Sequence, residues 1–274
     1  MKKYNLSTAE DRTIILKLGG SIITEKMSNR PQIRERVIGQ LAKELKLFIQ
    51  HFPKTQIVLL HGAGSFGHPL VYRYKLLERP LAGPQLLGFT KTICSMRHMA
   101  NLLTTVFQSA KLPVLPIQAS AVLNEKNNTM ALSNIHELKQ ILNTGFIPLL
   151  GGDMGLTKKN QAIVVSADKL AVLLAKAFPV SRIIFATDVN GVFDKFPPLN
   201  NAQPFLLLHK KNLKDIVEKM DKRKTRYDMT GGMAGKLRTL LALKKMEVII
   251  FNGLKPGNLI KALVREPVGT RLIL

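Results

Sequence analysis

Short β-branched runs alternate along the chain with longer stretches whose apolar residues recur at helical spacing. Thr13–Leu18 (TIILKL), interrupted by Lys17 and ending in Gly19-Gly20-Ser21, has the pattern of a buried strand running into a glycine turn. From Gln32 to Phe52, apolar residues at Ile33, Val37, Leu41, Leu45 and Phe48 predict a helix. Gln56–Leu60 (QIVLL) predicts a second buried strand, followed by the glycine loop His61-Gly62-Ala63-Gly64-Ser65-Phe66-Gly67-His68. A helix is expected from Phe89 to Ala110, with Ile93, Met96, Ala100, Leu103, Phe107 and Ala110 on one face. Val114–Pro116 and Phe146–Leu150 read as short strands, and the second runs into Gly151-Gly152-Asp153. Ser166 to Phe178 and Gly235 to Lys245 predict helices; Ile183–Thr187 and Val248–Phe251 predict strands. Strands alternating with helices predict a mainly parallel sheet with helices on both faces, an α/β fold. Pro197-Pro198 and Lys219–Arg226 are expected as exposed loops, and a weak boundary between two lobes falls near Gly155–Gln161.

The chain has 274 residues, 46% of them hydrophobic and 22% charged, so it can bury a sizeable core. No apolar run approaches the ~18 residues that span a bilayer. Met1 to Arg12 is polar and charged, unlike a secretory signal, so no membrane association and a cytoplasmic setting are expected. Cys94 is the single cysteine, which excludes an intramolecular disulfide and a multi-cysteine zinc site. Lys plus Arg number 41 against 18 Asp plus Glu, a net charge of +23. That excess favours anionic partners: phosphorylated metabolites, nucleic acid or acidic lipid.

Three predicted strands end in glycine turns, at Gly19-Gly20, Gly62–Gly67 and Gly151-Gly152. In open α/β sheets ligands sit beyond the carboxyl ends of strands. Glycine lets backbone N–H groups approach a ligand closely, and a helix start behind them completes an anion cradle. A single such turn is often only a turn; three at equivalent positions in a basic protein point to phosphate. Lys17 interrupts an apolar strand, where an unpaired ammonium is costly, so a bound anion or a buried carboxylate partner is expected. Lys26 and His68 belong to the loops after these strands, where a solvated surface cation is the plain alternative for Lys26. Gly62-x-Gly64-x-x-Gly67 also matches the dinucleotide fingerprint, but that motif needs a helix at once and an acidic residue closing a strand ~20 residues on. Neither is predicted here, since His68-Pro69 and a basic loop follow.

Lys17-Leu18-Gly19-Gly20-Ser21-Ile22-Ile23-Thr24 with Lys26 resembles the opening of the amino acid kinase superfamily. His61-Gly62-Ala63-Gly64-Ser65-Phe66-Gly67-His68-Pro69 resembles the loop of the isopentenyl phosphate kinases, with its terminal histidine. Ser166-Ala167-Asp168, Thr187-Asp188-Val189-Asn190-Gly191-Val192 and Asp228-Met229-Thr230-Gly231-Gly232-Met233, followed by Lys236-Leu237, fit in order from Thr13 to Leu274. The resemblance implies an open three-layer α/β/α sandwich with a mainly parallel central sheet. Residues 1–12 would form an N-terminal extension, 13–155 a phosphate-acceptor lobe and 156–274 a nucleotide-binding lobe of one continuous fold. It implies transfer of the ATP γ-phosphoryl group to isopentenyl phosphate, Mg²⁺ carried mostly by ATP, and a homodimer.

By the same resemblance, Lys17, Lys26, His68 and Asp168 form the catalytic set, with Asp168 orienting Lys17 and Lys236. Ala63, Gly67, His68, Gly152, Ile93 and Met96 would meet the acceptor. Lys17, Gly19, Gly20, Ser21, Gly64, Asp188, Gly232 and Lys236 would meet ATP, and no residue is assigned to a metal. Each assignment has a plain alternative. Asp168 could be a first-turn acid of its helix, Asp188 part of a turn, Lys236 a surface lysine, and Met96 an ordinary core residue. His61 is expected to be structural, His98 is a candidate pocket wall and Cys94 an ordinary helix residue. Ala63 and Ala167 stand where the family often has glycine; Ala63 is tolerated if its φ stays negative. A fosfomycin or other small-acceptor kinase of the same fold is the alternative enzyme. A nucleic-acid-binding protein on a degenerate kinase fold is the alternative of another class, disfavoured by the few aromatics available for stacking.

Overall fold

All six residues of strand β1 (Thr13–Leu18) are buried, as a strand covered on both sides requires. The computed structural model describes residues 13–25, 30–78, 80–126, 129–194, 202–221 and 232–274. After β1 come α1 (Gly20–Ile23), α2 (Glu35–His51), β2 (Gln56–His61), α3 (Gly64–Arg73), α4 (Pro84–Ser109) and β3 (Val114–Ile117). A hairpin of β4 (Leu123–Lys126) and β5 (Thr129–Leu132) leads to α5 (Ile135–Asn143) and β6 (Ile147–Gly151). A second hairpin, β7 (Asp153–Leu156) with β8 (Ala162–Val165), precedes α6 (Ala167–Ala177) and β9 (Val180–Thr187). The last elements are β10 (Leu207–His209), α7 (Lys210–Asp221), α8 (Gly232–Leu240), β11 (Glu247–Asn252), α9 (Asn258–Leu263) and β12 (Thr270–Ile273).

Eight strands form one sheet in the order β10-β12-β11-β9-β1-β2-β6-β3. All neighbours are parallel except β11 and β12. The period-2 alternation of strand side chains sorts the core into two layers. Ile15, Leu60, Ile183, Phe185 and Ile250 face Leu170 of α6, Leu213 of α7 and Leu237 of α8. Ile14, Leu16, Leu18, Leu59, Ile184 and Phe251 face Leu41 of α2, Met99 of α4 and Leu259 of α9. This is the expected three-layer α/β/α sandwich. Lys17 shares the parity of Ile15, so its side chain stands on the α6–α8 face, with Leu60 and Phe185 beside it in register.

The structure corrects several local expectations. A helix, α3, starts at Gly64 inside the second glycine loop, and Pro69 lies within it. The objection to a dinucleotide fold that rested on a missing helix therefore falls; topology supplies a better one. Strand β2 lies between β1 and β6, and β3, the next strand of the sheet in the chain, ends at Ile117 with no acid. Helix α4 begins five residues before Phe89, with Pro84 in its first turn, where the missing N–H costs nothing. Helix α8 starts at Gly232 and ends at Leu240 rather than running to Lys245. The third glycine turn enters the β7–β8 hairpin, not a helix, and the expected boundary at Gly155–Gln161 falls in that same hairpin. Lys219 closes α7 instead of opening a loop. Pro197-Pro198 and residues 222–226 lie outside the described residues.

Candidate active site

The carboxyl ends of β1, β2, β6 and β9 open on one cleft of 1010 Å³. Its floor is built from the two glycine loops, which touch backbone to backbone. A Cβ on Gly20 would lie 2.4 Å from the nitrogen of Gly64, and one on Gly62 would lie 2.6 Å from the nitrogen of Gly20. Real Cβ atoms do not approach backbone so closely, so these glycines are required for loop packing as well as for exposing amides. Gly64 also holds φ +49, the left-handed region that favours glycine. Thr24 clamps the pair: its Oγ1 donates to the Gly20 carbonyl at 2.8 Å and accepts from the Ser65 amide at 3.2 Å. Ala63 has φ −75, so its side chain is tolerated. The amides at the starts of α1 and α3 are the donors that helix geometry leaves without intrahelical partners.

On the cleft wall stands a buried charge cluster. Asp168 lies in the first turn of α6, one residue past the start that Ser166 caps by accepting from the Lys169 amide at 3.1 Å. Its Oδ1 is 3.0 Å from Lys17 Nζ, and Lys236 Nζ of α8 donates to both carboxylate oxygens at 2.8 Å. The buried carboxylate partner expected for Lys17 is thus Asp168, which is a first-turn acid of its helix and an ion-pair partner at once; Lys236 is buried, so its plain reading as a surface lysine does not hold. Burial works against the Asp168 charge, yet the two ammoniums outweigh it and hold the carboxyl well below the usual range. Burial, aided by the Lys17 charge, pushes Lys236 down to about 8 against the opposing pull of Asp168. Two cations and one anion leave the cluster with a surplus positive charge facing the cleft.

The other expected residues divide. Gly19, Gly20, Ser21, Ala63, Gly64 and Gly67 line the same cleft, as do His68, Met96, Gly152, Asp188 and Gly232. Ile93 does not: it packs one layer behind, against the cluster of Val71, Leu76, Met154 and Ala162. The wall position on α4 belongs to Thr92, one turn before Met96, because residues four apart share a helix face and Ile93 is rotated away. Thr92 Oγ1 donates to the Gly88 carbonyl at 2.8 Å, so its hydroxyl is satisfied within α4. His98 is exposed and tilts against Phe66 instead of lining the cleft. Cys94 is exposed on α4. Lys26 lies outside the described residues. His61 is buried beneath the loops with Nδ1 3.3 Å from the Gly62 carbonyl, and burial pushes it down to about 4.

Residues that the sequence pattern did not single out complete the walls: Val71, Thr92, Asp153, Met154 and Val164. Val71, Met154 and Val164, which pack together, and Met96 give the cleft apolar lining. Asp153 accepts amides on both oxygens, from Ser120 at 3.0 Å and Met154 at 2.8 Å. Only the Gly151-Gly152-Asp153 turn hinted at it. Among the described residues no group of three or more His, Cys, Asp or Glu side chains is placed to hold a metal ion. No described helix is long and apolar enough to cross a membrane.

Comparison with known proteins adds an independent line. The model of the amino acid kinase family matches residues 12–252. The chain is 31% identical over 273 residues to the isopentenyl phosphate kinase of Methanothermobacter thermautotrophicus, covering 94% of this chain and 98% of that one. To the isopentenyl phosphate kinase of Methanocaldococcus jannaschii it is 29% identical over 265 residues, covering 94% and 97%. A crystal structure of isopentenyl phosphate kinase superposes with TM-score 0.79 at 27% identity, covering 94% of this chain and 99% of that one.

Proposed function

The chain belongs to the amino acid kinase family, and from that premise we propose that it transfers the γ-phosphoryl group of ATP to isopentenyl phosphate. The observation that carries this reading is one cleft lined by a surplus-positive lysine cluster, two amide-rich loops, His68 and the apolar side chains of Met96, Val71, Met154 and Val164. Relatives named for this activity, matched over nearly their whole length, support the choice of acceptor.

The acceptor is a phosphate monoester, already an oxyanion, so no strong base is needed. The difficulty is bringing two anions together, and catalysis is positioning plus charge neutralisation. The acceptor phosphate sits on the Ala63 and Gly64 amides with His68 donating to it, and its alkenyl tail extends along Met96, Val71, Met154 and Val164. ATP lies across Gly19, Gly20, Ser21, Asp188 and Gly232, its phosphates reaching Lys236. An acceptor oxygen attacks the γ-phosphorus, the bond to the β–γ bridging oxygen breaks, and ADP leaves with that electron pair. Lys17 follows the transferred group, Lys26 offsets charge near the acceptor or the transition state, and Asp168 keeps Lys17 and Lys236 apart and aimed. Residues 13–155 then supply most of the acceptor side and 156–274 most of the nucleotide side, with Val164 and the Gly19-Gly20-Ser21 turn crossing between them.

Magnesium enters with ATP. Asp168 is committed to two lysines and Asp153 to two amides, which suits an ion held mainly by nucleotide oxygens. A cytoplasmic setting, where ATP is supplied, goes with this reading. Exposed Tyr72, Leu77, Leu86 and Leu87 around the α3–α4 connection support a homodimer, which light scattering on the purified chain tests.

The deciding assay is ADP formation with isopentenyl phosphate, run beside fosfomycin and acidic amino-acid acceptors. Turnover confined to a different acceptor, or absent, overturns the proposal. His68→Ala should lower acceptor kcat/KM by ~10²–10³ and leave ATP affinity unchanged.

A further inference from the structure

The charge cluster has one carboxylate for two buried ammoniums, and the second counter-group is an aromatic ring. Lys236 Nζ lies over the ring of Phe185, 4.4 Å from its centroid. Phe185 is fully buried on β9, in register beside Lys17 and on the same sheet face. Among the described residues, Lys236 is faced by Asp168 from α6, Lys17 from β1 and this ring from β9; Asp188 lines the same cleft past the end of β9.

We propose that Phe185 is a positioning residue for phosphoryl transfer: its ring face stabilises the Lys236 ammonium and holds it at the cleft wall. The negative face of an aromatic quadrupole attracts a cation, most strongly where water is excluded. A second carboxylate at this place would also steady Lys236, but it would cancel the surplus positive charge that incoming phosphates must meet. A ring stabilises the cation without adding a negative charge. Burial already pushes Lys236 down to about 8, so the ring acts on an ammonium close to losing its proton at working pH.

The role in turnover rests on the kinase reading; the hold on the ammonium does not. The test places Phe, 4-fluoro-, 3,5-difluoro- and 3,4,5-trifluorophenylalanine at position 185 of the full chain. Fluorine drains the ring face while nearly preserving its size. The Lys236 titration is followed without nucleotide by NMR of ε-¹³C-lysine, with its signal assigned through Lys236→Arg. The midpoint should fall stepwise, by about one pH unit across the series. The alkaline limb of kcat should fall with it; the melting temperature should stay level at pH ~9.5, where Lys236 is neutral in the fold, and drop by a few degrees at pH ~7, where the ammonium loses the ring's hold. Phe185→Leu should move both midpoints in the same direction. A flat NMR midpoint across the fluorinated series overturns the contact. A graded midpoint with an unmoved alkaline limb, in an enzyme that turns over, overturns its role in catalysis.

Discussion

Asp168→Asn would leave the ammoniums of Lys17 and Lys236 facing each other in a buried site without their shared counter-charge. Removing one member of a buried ion pair typically costs about 3–5 kcal/mol. The variant should melt well below the natural protein and lose most of its turnover, and thermal denaturation beside initial rates checks both. Lys236 makes stability and activity diverge in alkali. Its folded value of about 8 lies below the ordinary 10.5, so between the two the unfolded chain binds the extra proton and stability rises with pH. Turnover needs the ammonium and should fall above pH 8; rate and denaturation profiles measured in the same buffers would show the two trends crossing. His61 acts at the acid end. Burial lowers it from 6.5 to about 4, so stability is lost as pH falls through that window, by about 3 kcal/mol. Equal urea midpoints at neutral pH and near pH 4 would contradict this.

At the scale of elements, Glu44 joins two helices. Buried in α2, it accepts from the Gly257 amide at 2.9 Å and the Ile260 amide at 3.0 Å, so it caps α9 from another helix. Glu44→Gln should cost about 1 kcal/mol, read from chemical denaturation, with little change in turnover. The central strands were legible in the sequence because both their faces are buried, which writes a continuous apolar run. The β4–β5 hairpin was not, since LNEK and TMAL are four-residue strands with no such run. Helix α3 was hidden by Gly67 and Pro69, poor helix formers that tertiary packing overrides. Its start is pinned instead by Ser95 of α4, whose hydroxyl donates to the Phe66 carbonyl at 2.8 Å. In the cleft, Lys17 announced itself as a charge inside a strand. The Thr92 wall did not, because a threonine bonded to its own helix looks like any other in sequence. The same limit misplaced Ile93: spacing fixes that a helix has an apolar face, but not its rotation toward a particular cavity.

Over the whole molecule, the charge of +23 far exceeds what two phosphates require. It should still draw anions toward the cleft over distances comparable to the Debye length, ~10 Å at 0.1 M salt. The kcat/KM for ATP should therefore fall as salt is raised; an unchanged value would assign the excess charge no part in capture. ATP binding should also raise the melting temperature in proportion to the logarithm of its concentration above Kd. The contact between Gly20 and Gly64 sets a different kind of boundary. With each loop occupying the space a side chain of the other would need, neither can be exchanged alone. Anyone re-engineering this enzyme for a new acceptor must transplant both turns, together with the Thr24 latch, as one inherited cassette.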